Sequence, residues 1–407
     1  MPQPHLLSPL GFRASGVYAG IKTKHAPDVG LLVCTGPSPT AAAVFTTNKV
    51  VAAPVKVGRE HLAKSNGRLR AVVVNAGNAN ACTGRQGEKD ARRMCALAAA
   101  VAGCEPAEVL PSSTGIIGHL MPMEKVERGI AEVAQYLGDS EEHALLFSDA
   151  ILTTDLKRKS AAAEFKVGRE RVTVAGVCKG SGMIGPRLAL KAPHATMLAY
   201  LTTDAKVPKG VLGSALQEAA EASFNAVTVD DHASTNDTAA LIASGASGVK
   251  LDSPKAQKAF EAALREVCQS LAYQIAADGE GATKVVVIHV AGAKSDADAR
   301  VMARAIANSP LVKCAMHGND PNWGRIVSAA GMAGVPFAPD TCTLTLQGTV
   351  VFRNGQPVPF DDAKVSESLK APEVTAELNC RLGKGQATCW TCDLSKDYVT
   401  INADYHT

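Results

Sequence analysis

The chain is poor in aromatic residues: 2 Trp, 6 Tyr and 9 Phe make up 4% of its 407 residues. A surface that stacks on nucleic-acid bases needs such rings, so that class of partner is not expected. An excess of one charge is also missing. Lys and Arg total 42 against 39 Asp and Glu, a net charge of +3 with no runs, which argues against nucleic acid and anionic membranes alike. Long apolar runs are absent as well, since the longest nearly apolar stretch, Met94 to Cys104, is well short of a membrane span. The opening residues, Met1-Pro2-Gln3-Pro4-His5, hold neither the basic segment nor the apolar core of a signal peptide. The eleven cysteines are odd in number and scattered from Cys34 to Cys392; they read as reduced thiols used as small apolar residues. With 46% apolar and 20% charged residues, the composition predicts a soluble, cytoplasmic globular protein with one large α/β unit or two ordinary domains.

Short apolar runs at Gly30–Cys34 and Arg70–Val74 read as buried strands, and the Asn75–Gly84 stretch as turn. Residues 88–102 and 122–137 carry apolar side chains at helical spacing, the second opening on Pro122. Glu164–Val177 alternates about Val167-Gly168-Arg169 and predicts a hairpin. Helices are expected near 208–222 and 254–276, then a strand at Lys284–Val290 and a helix capped by Ser295. Thr343–Arg353 reads as a strand turning at Asn354-Gly355, and Ala387–Asp404 as a strand alternating to the end. Strands and helices occur in mixed clusters, which favours layered α+β architecture over a doubly wound sheet.

Metal chemistry has little support. No His-x-x-x-His or His-Glu-x-x-His pattern occurs, and Cys389-Trp390-Thr391-Cys392 lies in an alternating strand, where positions three apart point to opposite faces. Phosphate-loop and dinucleotide-binding patterns are also lacking. Three polar clusters remain. In Pro111–Gly118, the pair Thr114-Gly115 on a tight turn can aim a hydroxyl and a backbone N–H at one point, as an oxyanion hole requires; a capped turn is the plain alternative. Lys179-Gly180-Ser181-Gly182-Met183-Ile184 is followed by Ala195-Thr196. A small residue before Thr, downstream of a Gly-rich loop, can mark a self-cleaving bond whose product is an N-terminal Thr. Its α-amine, with a pKa of about 7.7–8.0, can serve as base for its own hydroxyl; a core Thr is the plain alternative. In Asp278–Lys284, Glu280 stands between two glycines and can pair with an ammonium group, or simply face solvent.

The ordered set of motifs resembles the ornithine acetyltransferase (glutamate N-acetyltransferase, ArgJ) family across nearly the whole chain. It includes Gly11-Phe12-Arg13, Phe45-Thr46-Thr47-Asn48, the Asn78–Gly84 turn, Ser113–Gly118, Thr153-Thr154-Asp155, Lys179–Ile184 and Ala195-Thr196-Met197-Leu198. Further on come Ser234-Thr235-Asn236-Asp237-Thr238, Asp278–Lys284, Asp320-Pro321-Asn322-Trp323-Gly324-Arg325 and the ending Tyr398–Thr407. Two places depart from the family pattern: Arg187–His194 lengthens the stretch before Ala195, and Asp230-Asp231-His232-Ala233 replaces Asp-Gly-Asp-Thr.

The resemblance implies a precursor that cuts itself at Ala195–Thr196. The products are an α chain, 1–195, and a β chain, 196–407, associated as an α2β2 heterotetramer in an α+β layered sandwich. It implies transfer of acetyl from N-acetylornithine to glutamate through an acetyl-Thr196 intermediate, with Thr114 and Gly115 as the oxyanion hole. Thr154, Lys179, Thr196, Glu280, Asn402 and Thr407 match the family's substrate-binding positions. No cofactor or metal is implied, and acetyl-CoA stays open as a second acyl donor. Two rivals stand beside this reading: a self-processing N-terminal-nucleophile amidase or aminopeptidase with water as acceptor, and an uncleaved amino-acid-binding protein.

Overall fold

Val72, Val73 and Val74 run together without alternation, and a strand of that kind is stable only with both faces covered. The computed structural model of the chain, which describes residues 5–189 and 197–404, covers them by stacking two sheets between helices. Strands are numbered along the chain. A four-stranded sheet has the order β1 (Phe12–Val17), β2 (Val29–Cys34), β4 (Ala71–Asn78), β5 (Val109–Ile116). A five-stranded sheet has the order β3 (Thr40–Phe45), β9 (Thr238–Ala243), β8 (Leu198–Thr203), β7 (Glu170–Lys179), β6 (Lys159–Val167). The two pack face to face, Leu32, Val72, Val74 and Leu110 of the first sharing a core with Phe45, Val177, Leu198 and Tyr200 of the second. Helices Gly84–Ala102 and Met123–Val133 cover the outer face of the first sheet. Helices Lys209–Glu221 and Pro254–Ala277 cover that of the second. The layering is helix, sheet, sheet, helix, the α+β sandwich expected.

A third sheet has the order β13 (Gln356–Pro357), β12 (Thr349–Arg353), β11 (Thr343–Leu346), β14 (Glu373–Asn379), β10 (Val285–Ala293), β15 (Gly385–Cys392). Helices Asp296–Asn308, Pro310–His317 and Trp323–Gly331 close a core of its own. Val285 and Cys392 turn the other way, into the core of the five-stranded sheet, so this layer is welded to the sandwich. Cys389 and Cys392 enter different cores, as strand alternation demands. The stretches before and after residue 195 share one sheet, β7 pairing with β8 and β3 with β9.

Four local expectations need correction. The strand at 70–74 continues to Asn78, because β4 finds a parallel partner in β5 along its whole length. For the same reason Thr114-Gly115 lies inside strand β5 rather than on a turn. Thr343–Arg353 is itself a hairpin, β11 and β12 joined at Gln347-Gly348, both with positive φ, and Asn354-Gly355 makes a second turn to β13. The alternation of Ala387–Asp404 ends at Cys392, after which Lys396–Asp404 is an α-helix. Its Tyr398 and Asn402, four residues apart, reach Asp230 and Glu280; these tertiary bonds override the short-range pattern.

The sheet-to-sheet core is filled by Phe147 of the helix Glu141–Ile151, fully buried and edge-on to Tyr200 at 5.5 Å between ring centres. Phe147→Ala is expected to lower unfolding free energy by about 3–5 kcal/mol, read as a shifted urea midpoint with an unchanged slope.

Candidate active site

Strands β4 and β5 run parallel until Gly77 and Gly115, where the register breaks. Gly115 has φ +131°, and a Cβ there would collide with the Gly77–Asn78 peptide, so only glycine lets the two strand ends approach. Polar side chains brace this edge. Ser113 Oγ donates to Asn75 Oδ1 at 2.6 Å, and Asn75 Nδ2 donates to the Asn78 carbonyl at 2.8 Å. From the other sheet, Asn236 Nδ2 donates to the carbonyls of Ala79 (2.6 Å) and Ser113 (2.9 Å). Within this braced edge Thr114 is 1% exposed, and its hydroxyl has no hydrogen-bond partner among the described residues. A buried hydroxyl left unpaired costs free energy, and among the described residues nothing answers this one.

Lys179 ends β7 opposite Leu198, the first residue of β8. Its Nζ donates to Thr153 Oγ1 at 2.8 Å and stands 3.8 Å from Asp155. Thr154, expected among the substrate-binding positions, is half-buried and follows Thr153 directly in the chain. Asp155 also accepts from Lys159 Nζ (2.7 Å) and the Gly180 N–H (2.7 Å), and Lys159 reaches Asp278 at 2.5 Å. Burial acts to raise the Asp155 carboxyl, but Lys179, Lys159 and these bonds outweigh it and hold the group well below the usual carboxylate range. Burial likewise acts to lower Lys159, and Asp155 with Asp278 reverses it upward.

Past Asp278 the chain returns to the Gly-rich loop. Ser181 Oγ donates to the Asp278 carbonyl (2.7 Å) and the Glu280 N–H to the Ser181 carbonyl (3.1 Å). The Glu280 carboxylate packs against Gly182, where any Cβ would run into it, and accepts from Asn402 Nδ2 at 2.9 Å. Asp230 closes the loop from below, accepting the N–H groups of Met183 and Ile184 at 2.8 Å and the Tyr398 hydroxyl at 3.2 Å. Asp237, just before β9, is 0% exposed, and neither of its oxygens has a partner among the described residues. Burial pushes its carboxyl well above the usual range; Lys179 draws it down and Asp230 adds to the rise.

The structure thus gathers Lys179, Glu280 and Asn402 around one loop, and sets Thr114 and Gly115 on the strand edge that Asn236 ties to the second sheet. Ala195, Thr196 and Thr407 lie outside the described residues. The expectations missed Thr153, Asp155 and Lys159 as supports and Asp230 as the loop's anchor. A lysine opening β6, ahead of the alternating stretch, was the one local signal for the charge network.

An ammonium, a carboxylate and an amide meet at the glycine loop of a layered α+β protein, groups that can pair with the charged ends of an amino acid. Residues 13–407 match the ArgJ family model, and the chain belongs to the ArgJ family. It is 45% identical to the "Arginine biosynthesis bifunctional protein ArgJ" of Rhodopirellula baltica, over 99% of this chain and 97% of the relative. The protein of that name in Bacillus cereus is 43% identical, over 99% and 96%. A crystal structure of arginine biosynthesis bifunctional protein argJ from Bacillus halodurans matches with a TM-score of 0.50 and 40% identity, covering 52% of this chain and 100% of that one.

Asp155→Asn removes the charge between two buried lysines and is expected to destabilise by about 3–5 kcal/mol at neutral pH. Because the folded carboxyl lies below its unfolded value, the contribution is fully present above about pH 4. The gap between variant and parent should therefore narrow only as pH falls below that value. Urea titrations at pH 7 and pH 3 measure both.

Proposed function

We propose that this chain is an acetyltransferase of arginine biosynthesis that cuts itself between Ala195 and Thr196 and carries acetyl from N2-acetylornithine to L-glutamate on Thr196. The observation that carries the reading is the buried Thr114 hydroxyl beside Gly115, which has no hydrogen-bond partner among the described residues. An acyl transfer develops negative charge on a carbonyl oxygen, and a pre-set donor with no protein partner stabilises that charge without first breaking another bond.

The steps follow from the residues. The freed α-amine of Thr196 takes its hydroxyl proton as the oxygen attacks the acetyl carbonyl of N-acetylornithine. The oxyanion is met by the Thr114 hydroxyl and the Gly115 N–H. Collapse breaks the C–N bond, the amine proton goes to the leaving nitrogen, and ornithine departs. Glutamate then attacks the acetyl ester by the reverse path. Both substrates carry an α-carboxylate, for which Lys179 supplies charge and Asn402 and Thr407 supply neutral donors, while Thr154 lines the same region. Glu280 pairs with the donor's cationic nitrogen. Acetyl-CoA as a second donor to glutamate, and an α2β2 assembly of the two pieces, belong to the same proposal. The shared five-stranded sheet favours pieces that stay together, and a relative's chain wholly covered by about half of this one fits a protein held as two pieces.

Purified protein incubated with N-acetylornithine alone should release about one ornithine per site and add one acetyl group to the 196–407 piece. With glutamate present, turnover should give parallel double-reciprocal lines. Acetate release independent of glutamate would identify an amidase instead, and an uncut chain that binds amino acids without turnover a binding protein. Acetyl-CoA with glutamate should liberate free thiol.

Two variants separate transition-state from ground-state roles. Thr114→Ala should lower kcat about 10²–10³-fold with little change in KM. Glu280→Gln should mainly raise KM for N-acetylornithine, by about 10–100-fold for the loss of one charge-assisted bond of about 1.5–3 kcal/mol. Steady-state kinetics on already-cut protein decides both.

A further inference from the structure

Glu280 sits on the short connection between the helix Pro254–Ala277 and strand β10, and that connection is tied at both ends. At its start Lys159 and Ser181 hold Asp278. At its end stands Asp393. It directly follows β15, whose Cys392 pairs with Val285, and its N–H donates to the Lys284 carbonyl at 3.3 Å. Its side chain is fully buried, and each oxygen meets two partners. Oδ1 accepts the N–H groups of Thr283 at 2.7 Å and Lys284 at 3.1 Å. Oδ2 accepts the Thr283 hydroxyl at 2.6 Å and lies 2.7 Å from His317 Nδ1. Burial acts to raise this carboxyl, but the bonds to Thr283, His317 and Lys284 outweigh it and hold the group below the usual carboxylate range.

The same stretch also starts the last helix. Ser395 Oγ donates to the Gly281 carbonyl at 2.6 Å and accepts the Asp397 N–H at 3.1 Å, in the first turn of Lys396–Asp404. That helix has no buried residue to seat it, so its place rests on polar bonds: these, Tyr398 to Asp230 and Asn402 to Glu280. Gly281, next to Glu280, has φ +69°, and a Cβ there would run into the Tyr398 nitrogen. Residues 393–395 therefore hold the turn that carries Glu280 and the helix that carries Asn402 as one unit. We propose that Asp393 is a positioning residue for the acetyl donor: by clamping Thr283-Lys284 against the start of the last helix, it sets where Glu280 and Asn402 meet. It acts through Glu280 rather than on the reacting atoms. An ionised carboxylate suits the task, because its charge strengthens every bond it accepts at once. Glu280 is three residues from Thr283, so slack at the clamp is carried to the carboxylate that pairs with the cationic nitrogen, and such a bond weakens steeply with misalignment.

This inference rests on the proposed acetyl transfer, and the test separates the two. Steady-state kinetics with N-acetylornithine and glutamate compare the parent, Asp393→Asn, Glu280→Gln and the double variant, all as already-cut protein. Asn keeps the size of Asp and one acceptor for the two N–H groups, but loses the charge and turns a donor toward Thr283 and His317. Asp393→Asn should raise KM for N-acetylornithine about 5–30-fold, part of what one charge-assisted bond is worth, with kcat little changed. On the Glu280→Gln background the same change should add less than about 2-fold, because the carboxylate it positions is gone. A merely structural role instead lowers kcat through the folded fraction at unchanged KM, and acts equally on both backgrounds. Either of those patterns, or parent-like kinetics, overturns the positioning role and leaves acetyl transfer standing. A parent that moves no acetyl to glutamate overturns the proposed function, and this inference with it. Should Asp393→Asn fail to fold, Thr283→Val at an exposed position removes one arm of the clamp. A KM raised about 3-fold on the parent background and unchanged on Glu280→Gln upholds the positioning role, and any other pattern overturns it.

Discussion

Four charges of alternating sign lie buried in a row, Lys179, Asp155, Lys159 and Asp278, and the candidate site depends on that row. Each charge taken alone from water into the protein costs several kcal/mol, and removing one partner strands its neighbours. Alternation answers the cost, and backbone groups fill the lone pairs that remain: Gly180 N–H on Asp155, and the N–H groups of Leu156 and Lys157 on Asp278. The row joins the chain after the helix Glu141–Ile151, the start of β6, the end of β7 and the end of the helix Pro254–Ala277. None of these segments can shift without unpairing a buried charge. The ammonium of Lys179 and the peptide that carries Glu280 are fixed relative to each other as a result.

Rigidity of that kind leaves little room, and glycine supplies it where chains come closest. At Gly115 the strand ends β4 and β5 approach so that Thr114 is buried, with no partner for its hydroxyl among the described residues; at Gly182 the loop yields its side-chain space to the Glu280 carboxylate. A methyl group at either point would move a functional group by about its own radius. In acyl transfer a misplacement of about 1 Å costs on the order of 10²-fold in rate. The glycines therefore belong to the site as much as the groups with chemistry do.

Much of this was legible in the sequence where a local rule applied. The hairpin about Gly168 appears as β6 and β7, and Ser295 caps its helix by accepting the Asp298 N–H at 3.2 Å. The layered class followed from how strands and helices cluster. Sequence reading failed where a distant partner decided the outcome. Thr114-Gly115 looked like a turn because glycine favours turns; Gly115 does take a positive φ, but as a strand residue pressed against the Gly77–Asn78 peptide of a neighbouring strand. Lys396–Asp404 alternates like a strand yet is helical, since only helical spacing brings Tyr398 to Asp230 and Asn402 to Glu280 together. Lys179, Glu280 and Asn402 carry no shared local signal; sheet order alone makes them neighbours. Their grouping came from the family resemblance, and the burial of Asp237 from neither source.

Sheet order also explains how such a chain could be cut at its centre and stay whole. Residues 180–197 connect β7 to β8, which are already antiparallel neighbours paired from Val174–Thr203 to Lys179–Leu198. Opening a connection between strands that pair directly removes no rung of the ladder. What is lost is the tether, whose contribution grows only slowly with loop length, by about 0.6 kcal/mol per doubling. Against that stand the pairing of β3 with β9 and the core in which Phe45 and Val177 from one stretch meet Leu198 and Tyr200 from the other. Burial of that apolar surface, at about 25 cal/mol per Å², outweighs a tether of this length many times over. The same geometry fixes the cut's consequence: the new chain start would precede a central strand held on both sides, by Lys179 of β7 and Thr238 of β9.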